Sequence, residues 1–360
     1  MKCYSCMRPI KAGAYCAGCK KSLFNDRIIR PLKFDKSEFY RIKSEMTDRM
    51  SLSGVQDKIS LTFGGEGELV PTATNGRFIL KPIPRNHDNA INLEDIAANE
   101  HLSMQISQQI FKIPTAMNGL IEFKGGELAY ITKRFDYALN VQGEVEKLDQ
   151  EDFASVLQYT KDSHGDNYKY DSSYQKIAQE IEKFVPAFIP ALEDLYKRIV
   201  FNYLIGNGDA HLKNFSLLRG LERPDYSLSP NYDVLFTKYH LPKEEGIMGI
   251  ELFEEDFETT AFGAMGFYTL EDFEVLAGMF HIKEKRLIKI FKDILTGQDE
   301  VLRFIENSFL SDSAKAAYEE NYRNRLRNCL CYSIKGYSFR GVTQDVITAS
   351  GILKTPIKPK

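Results

Sequence analysis

Residues 206–216 read GNGDAHLKNFS and follow directly on LEDLYKRIVFNYLI (192–205), the most apolar helical stretch of the chain. Phosphoryl transfer needs a carboxylate that orients the attacking hydroxyl and accepts its proton, and a nearby amide oxygen that holds a cation on the phosphates. Asp209, followed five residues later by Asn214, supplies both groups in a loop that closes a predicted buried helix. The competing interpretation is an ordinary capped turn, because Gly, Asn and Asp are common turn residues.

A second acidic motif favours the catalytic interpretation. Asp233 comes nineteen residues after Asn214, in SPNYDVL (229–235), where it is predicted to follow a hairpin. Magnesium (Mg²⁺) prefers carboxylate and other oxygen ligands together with substrate phosphates, so Asn214 and Asp233 are the predicted metal ligands. His211 and Lys213 are candidates for contacting a phosphate or positioning the catalytic loop. Each also has a simpler interpretation, as a structural histidine and a solvated lysine.

A lysine at a strand end offers a nucleotide contact upstream. Lys81 follows the strand-like run RFIL (77–80), where its ammonium could reach the nucleotide phosphates as a kinase strand lysine does. The next predicted helix carries two candidate partners for this lysine, Glu94 and Glu100, of which Glu100 is preferred.

The loop SLSGVQDK (51–58) precedes the first predicted strand and suits a role in covering the phosphates. Gly54 allows a tight backbone, and Ser53 and Lys58 bring hydrogen-bond donors. These three residues are therefore predicted to contact the nucleotide.

The order of the predicted elements indicates an α+β protein with two lobes. Alternating apolar residues and glycine turns predict an antiparallel sheet in the first half. Its strands would be ISLTF (59–63), LV (69–70), RFILKP (77–82), GLIEF (119–123) and LAYITKRF (128–135). Helical periodicity predicts a helix over 94–111 and a mostly helical half after residue 151, whereas the polar region 160–174 is predicted as a loop or mobile insertion. The predicted domains are a cysteine module (1–33), a strand-rich lobe (34–138), a helical lobe (139–330) and a basic tail (331–360).

Composition and charge narrow the cellular setting. The chain has 360 residues, of which 43% are apolar and 12% aromatic, enough for a sizeable core. It contains neither a run of ~18 uncharged apolar residues nor a signal-peptide pattern, so we predict a cytoplasmic protein without membrane contact. Residues 1–33 and 321–360 each carry a net charge of +7, which leaves the body at −17. The body is thus no general nucleic-acid surface, while the ends are either solvated or meet an acidic partner or DNA.

Two cysteine pairs stand near the start of the sequence. Cys3 and Cys6 form one C-x2-C pair, Cys16 and Cys19 form another, and nine residues separate the pairs. This spacing can place four thiolates tetrahedrally around zinc (Zn²⁺), which would fold a segment too short to have its own core. The alternative is a set of reduced thiols without metal.

Four motifs together resemble one known family. SLSGVQDK, FILKP, NGDAHLKNFSLL and SPNYDVL occur in the order and approximate spacing of the HipA family, serine/threonine kinases that are the toxins of bacterial toxin–antitoxin pairs. The resemblance extends from about residue 50 to about 330. It implies a protein-kinase-like fold and transfer of the ATP γ-phosphate, with magnesium, to a protein. Members phosphorylate aminoacyl-tRNA synthetases, so one of these is the first candidate substrate.

The family pattern also implies residue roles. Asp209 would be the catalytic aspartate, Asn214 and Asp233 the magnesium ligands, and Lys81 the nucleotide lysine.

Three further roles rest on the same resemblance. The backbone near Lys133 and Phe135 would meet the adenine. Ser51 and Ser53 would be autophosphorylation sites that silence the kinase. The implied partner is a helix-turn-helix antitoxin like HipB, with DNA contact at most through that antitoxin.

The sequence departs from longer HipA proteins at its start. Those proteins carry a subdomain of about a hundred residues before the serine loop, where this sequence has about fifty. This predicts a split system like that of the HipT toxins, in which the subdomain is a separate small protein.

Two other functions compete with a protein kinase. A small-molecule phosphotransferase of the aminoglycoside-kinase type also places Asn five residues after Asp, and His164-Gly165-Asp166 resembles its motif. However, residue 171 is Asp, not Asn, and the segment is polar. An inactive kinase-fold scaffold is the non-enzyme alternative, although it would have no chemical need for Lys81, Asp209, Asn214 and Asp233 together.

Overall fold

A computed structural model describes residues 1–46, 57–65, 67–85, 90–221, 225–242 and 246–330. The predicted phosphate-loop residues Ser51, Ser53 and Gly54, and the predicted tail 331–360, lie outside these described residues. In the described ranges, no helix is both long enough and apolar enough to cross a bilayer.

The first half is built around one antiparallel sheet. Its elements are α1 (Ala17–Phe24), α2 (Lys36–Met46), β1 (Ile59–Phe63), β2 (Leu69–Pro71), β3 (Phe78–Lys81), α3 (Ile96–Gln109), β4 (Asn118–Glu122) and β5 (Leu128–Lys133). The strand order is β2-β1-β3-β5-β4, and the register of β3 on β5 sets Lys81 opposite Tyr130. Helix α3 packs on β4 and β5. The five strands predicted from alternation are therefore confirmed.

The second half is mostly helical and includes two small sheets. Its elements are β6 (Tyr137–Leu139), β7 (Val145–Lys147), β8 (Asp149–Asp152), α4 (Phe153–Val156), α5 (Lys161–His164), α6 (Tyr174–Phe184), α7 (Phe188–Ile205), β9 (Ser216–Arg219), β10 (Tyr226–Leu228), α8 (Thr260–Met265), α9 (Leu270–Met279), α10 (Glu284–Thr296), α11 (Gln298–Glu306) and α12 (Asp312–Cys329). Strands β6 and β7 form a hairpin, and β8 joins the β9–β10 hairpin in a second sheet. The α+β class, with a strand-rich half before a helical half, is confirmed. The predicted lobe boundary at 138 falls inside β6, and the domain limits remain predictions.

Helix α7 positions residues 206–214, the predicted catalytic loop, which is called the catalytic loop below. Its residues 198–205 are all buried, as expected of a stretch in which only Arg198 and Asn202 are strongly polar. It ends at Ile205, and the left-handed backbone of the capping residue Gly206 (φ 72°) allows the Gly206 N–H to bond the last carbonyls of the helix. A Cβ at this position would lie 2.9 Å from Asn321 Oδ1. Glycine thus ends the helix abruptly and starts the loop that carries Asp209.

The cysteine segment packs against the five-stranded sheet. Tyr15 and Phe24 belong to one buried apolar cluster with Phe78 of β3. The N–H of Leu120 in β4 donates to the carbonyl of Tyr4 at 2.7 Å, and the Tyr15 hydroxyl donates to the carbonyl of Leu120 at 2.5 Å. The segment therefore shares its core with the sheet.

Candidate active site

The centre of the site is a buried lysine with two carboxylates. Lys81 Nζ lies 2.7 Å from Glu100 Oε1 and 2.5 Å from Asp233 Oδ1. Strand β3 supplies Lys81, helix α3 supplies Glu100, and the loop after β10 supplies Asp233. The structure thus brings together three of the predicted residues, whereas the other candidate partner, Glu94, is exposed.

Burial disfavours the charged forms of Lys81, Glu100 and Asp233. The contacts of Lys81 with the two carboxylates favour these charged forms. Burial alone would lower the pKa of Lys81, but Asp233 and Glu100 raise it above its ordinary value. Burial raises the pKa of Glu100 to about 7, although Lys81 opposes this change. Burial would also raise the pKa of Asp233, yet Lys81 and Lys58 lower it to about 2. At neutral pH, Lys81 is therefore cationic and Asp233 anionic.

Asp209 and Asn214 are joined within the catalytic loop. Asn214 Nδ2 donates to the carbonyl of Asp209 at 2.6 Å, so Oδ1 of Asn214 is the amide atom suited to a cation. The side chain of Asp209 is 39% exposed, so its carboxylate lies at the surface of the loop and not in the core. The spacing of five residues thus closes a turn, and both side chains belong to the same loop.

His211 and Lys213, the two predicted residues between Asp209 and Asn214, have different surroundings. His211 is buried, and its Nε2 lies 3.5 Å from Asp209 Oδ1. Burial lowers the pKa of His211, so its neutral form is favoured, although Asp209 opposes the shift. Lys213 Nζ lies 3.4 Å from the Tyr168 hydroxyl and 3.9 Å from Asp152 Oδ2. Both residues belong to the loop, and the ammonium of Lys213 reaches the neighbouring cleft.

That cleft is a cavity of about 340 Å³ between the strand-rich and helical halves. Its size falls in the usual range for small-ligand sites, about 300–1,000 Å³. The lining includes Lys58, Ile79, Lys81, Glu100, Tyr130, Thr132, Phe135, Lys213, Asn214, Tyr232 and Asp233. Apolar walls and convergent charges are what a nucleotide, with a flat base and a polyphosphate, requires.

The donor set in this cleft fits magnesium. Asn214 and Asp233 both line the cavity and offer amide and carboxylate oxygens. Asp233 adopts a left-handed backbone (φ 58°), which is unusual for a residue other than glycine and is tolerated where a side chain must be aimed.

The predicted adenine-contacting residues lie on the cleft with different roles. Phe135 lines it and packs on Tyr232, with 5.3 Å between ring centroids. Lys133 also lines it, but its N–H donates to the Met117 carbonyl. The Lys133 ammonium turns to the cysteine segment, 2.7 Å from Asn25 Oδ1. The side chain of Lys133 is therefore part of a structural contact.

Sequence reasoning missed two contacts to Asp209. The Tyr170 hydroxyl donates to Asp209 Oδ1 at 2.5 Å, and the Lys169 ammonium lies 3.9 Å from the same oxygen. Both residues belong to region 160–174, which the sequence predicted as a loop or mobile insertion. That prediction was incomplete, because the region includes α5 and contacts the catalytic loop. No spacing rule links a tyrosine to an aspartate 39 residues later in the chain.

The competing His164-Gly165-Asp166 motif lies apart from the cleft. The side chain of Asp166 is 88% exposed and pairs with Lys161 on the surface. This geometry does not favour the aminoglycoside-kinase alternative.

The four cysteines form one cluster. Their Sγ atoms lie within 4.8 Å of one another, and those of Cys6 and Cys16 are 3.7 Å apart. A tetrahedral zinc with bonds of about 2.3 Å separates its sulfurs by about 3.8 Å, so the donor set fits zinc. Hydrogen bonds from Cys19 and Cys6 lower the pKa of Cys3 far below its ordinary value, whereas the hydrogen bonds with Cys3 and Cys6 raise the pKa of Cys19, so the metal-free cluster favours a thiolate at Cys3 and a thiol at Cys19.

Comparisons with known proteins agree with this geometry. The family model of the HipA-like C-terminal domain matches residues 50–301, more than half of the chain. A Haemophilus influenzae protein that is provisionally named a kinase is 28% identical to this chain. The match covers 82% of this chain and 86% of that protein. A Sinorhizobium fredii protein with a similar provisional name, Y4dM, is 31% identical over 55% of this chain and 47% of its own length.

A solved structure shows the same fold. The HipA toxin–antitoxin structure from Shewanella oneidensis, determined with HipB and its operator DNA, matches with a TM-score of 0.56 and 18% identity. The match covers 82% of this chain and 70% of that chain. The predicted two-lobed, HipA-like fold is thereby confirmed. With its family-model match over residues 50–301, this chain belongs to the HipA-like C-terminal domain family.

Proposed function

We propose that this chain is an ATP-dependent serine/threonine protein kinase of the HipA type. Family membership and the names of its relatives support a kinase-type function. The observation that carries the proposal is the contact of Lys81 with both Glu100 and Asp233, beside the loop that holds Asp209 and Asn214. A buried lysine with one helix carboxylate and one metal-ligand carboxylate is the arrangement that positions a nucleotide triphosphate in kinases.

Each residue has a chemical task in this proposal. Magnesium, when bound, would neutralise charge on the phosphates, and Asn214 and Asp233 would hold it. Lys81 would contact the phosphates, while Glu100 keeps its ammonium in place. Asp209 would accept the hydrogen bond of the acceptor hydroxyl and then its proton.

The biological setting is also proposed from similarity. The solved Shewanella HipA was determined with HipB and operator DNA. We therefore propose that this chain is a toxin bound by a helix-turn-helix antitoxin of the HipB type, through which any DNA contact would be made. Autophosphorylation of Ser51 or Ser53 and an aminoacyl-tRNA synthetase substrate are parts of the same proposal.

The direct test is transfer of γ-labelled phosphate in a bacterial lysate. With magnesium, the wild-type chain is expected to label one or a few proteins on serine or threonine, as mass spectrometry would show. D233N is expected to lose this labelling because it removes an anionic metal ligand, whereas D225N, the same change at an exposed position, should retain it. In the same assay with added kanamycin, label on kanamycin and none on protein would instead establish the small-molecule alternative.

Glu100→Gln tests the charged partner of Lys81. The amide can still bond the ammonium, but it never carries the negative charge that Glu100, with its pKa raised to about 7, carries about half of the time at neutral pH. We expect kcat/KM for ATP to fall roughly 10–100-fold, because misplaced catalytic groups cost about that much. The free energy of unfolding should fall by about 1 kcal/mol, less than a fully charged hydrogen bond contributes, because Glu100 is only partly ionised at pH 7 and the amide still accepts from Lys81.

Glu94→Gln is the matched control, since Glu94 precedes the same helix but is exposed. Steady-state kinetics and urea denaturation of both variants provide the measurement. Equal effects of the two substitutions would contradict the assigned pairing.

A further inference from the structure

A short segment of the chain lies along the catalytic loop. Tyr170 donates its hydroxyl to Asp209 Oδ1 at 2.5 Å. The N–H of Leu212 donates to the carbonyl of Lys169 at 3.1 Å. Lys213 Nζ lies 3.4 Å from the Tyr168 hydroxyl. Residues 168–170, which we call the strap, therefore contact the catalytic loop through side chain, main chain and side chain in turn.

The contact between Tyr170 and Asp209 has the chemistry of a kinase acceptor. To be activated, an acceptor hydroxyl must donate a hydrogen bond to the catalytic carboxylate. The Tyr170 hydroxyl makes this kind of contact, and its ring also packs edge-on against His211, with 5.0 Å between centroids. Lys169 adds a cation 3.9 Å from the same carboxylate oxygen. An incoming serine or threonine would meet Asp209 with one oxygen already engaged.

The strap lies between Gly165, which caps α5, and Tyr174, which is anchored on the catalytic loop. Tyr174, which begins α6, is buried and donates its hydroxyl to the carbonyl of Ala210 at 2.9 Å. At the other end, Gly165 ends α5 with a positive φ of 74°. Displacement of the strap therefore requires movement only between these two points, while α6 stays on the loop.

We propose that the strap occupies the acceptor-hydroxyl position at Asp209 and holds the site closed to protein acceptors until an acceptor or a partner displaces it. This inference rests on the proposed kinase function. Tyr170 acts as an internal mimic of the acceptor, and its ring and hydroxyl define where the acceptor side chain binds. The nucleotide cleft, lined by Lys81 and Asp233, stays accessible while the strap is in place.

Removal of one hydroxyl tests the acceptor mimic. Y170F should increase labelling of casein from γ-labelled ATP by about tenfold, because a hydrogen bond to a carboxylate no longer competes with the acceptor. KM for ATP should stay unchanged. Y159F is the matched control, since Tyr159 stacks on His164 near α5, and it should behave as wild type. If Y170F labels casein no faster than wild type, or more slowly, the inference is overturned and Tyr170 instead supports Asp209.

A second readout does not depend on catalysis. Trypsin should cleave after Lys169 several-fold faster in Y170F and in D209A than in wild type, because each variant removes one side of the contact. Cleavage after the exposed Lys161 provides an internal reference and should not change. Faster cleavage without any phosphate transfer would retain the strap contact and reject the proposed function. Casein labelling that is equal in wild type and Y170F would retain the function and reject the inference.

Discussion

Asp209→Asn is expected to reduce phosphate transfer to a protein acceptor by about 10³-fold, within the range that general-base catalysis contributes. Asparagine can accept a hydrogen bond but cannot take the proton of the acceptor hydroxyl. The affinity for ATP with magnesium should change little, because Lys81, Asn214 and Asp233 remain. Since the side chain of Asp209 is 39% exposed, the free energy of unfolding should change by less than about 1 kcal/mol.

The competing motif offers a control for this variant. Asp166→Asn makes the same chemical change in His164-Gly165-Asp166, whose aspartate is exposed on the surface. Single-turnover transfer from γ-labelled ATP, measured alongside nucleotide binding, would compare the two. Full activity of D209N, or an equal loss in D166N, would show that the catalytic loop has been assigned to the wrong aspartate.

The part of the site that is local in sequence could be predicted. Asp209 and Asn214 share one loop, and α7 ends at Ile205 as its apolar pattern predicted. Strand alternation correctly placed Lys81 at the end of β3. These features follow from residues a few positions apart, where periodicity and turn chemistry are informative.

Pairings across long sequence distances were harder to predict. The preference for Glu100 over Glu94 agrees with the contact of Lys81, but helical periodicity alone left both open. The contact of Tyr170 with Asp209 depends on how region 160–174 lies on the catalytic loop, which is a tertiary property. Polar composition predicted a loop there and carried no information about what that loop contacts.

The packing of the cysteine segment is a further tertiary property. Cys-x2-Cys spacing predicted four clustered thiols, and their Sγ atoms do lie within 4.8 Å of one another. It did not predict that Tyr15 and Phe24 would join the core of the sheet. Each apolar residue of so short a segment needs a partner from elsewhere, because the segment cannot bury them alone.

A large loss of stability is expected when the cluster of four cysteines loses its metal. Cys6→Ser should abolish zinc binding, which we expect at about one ion per chain in the wild type. The lost metal should lower the free energy of unfolding by at least about 3 kcal/mol, a fraction of the total binding energy of structural zinc, because apolar packing of the segment persists. Metal content by atomic emission and thermal denaturation provide the measurement.

Cys329→Ala provides the control for loss of a thiol, because Cys329 is buried in α12 and is not one of the four clustered cysteines. It should retain zinc. A wild-type chain that remains metal-free after growth and refolding with zinc, and that melts at the same temperature as C6S, would establish that the cluster is four thiols without a metal.

Loss of zinc should also destabilise α3, the helix that carries Glu100. Ser5 lies between Cys3 and Cys6, its hydroxyl donates to the carbonyl of Asn118 in β4 at 2.7 Å, and its own carbonyl lies 2.7 Å from His101 Nε2. His101 directly follows Glu100 on α3. In C6S, amide hydrogen exchange in α3 should therefore accelerate well below the melting temperature, whereas C329A should leave it unchanged. Unchanged exchange in α3 of C6S would mean that zinc stabilises the segment without holding the helix that carries Glu100.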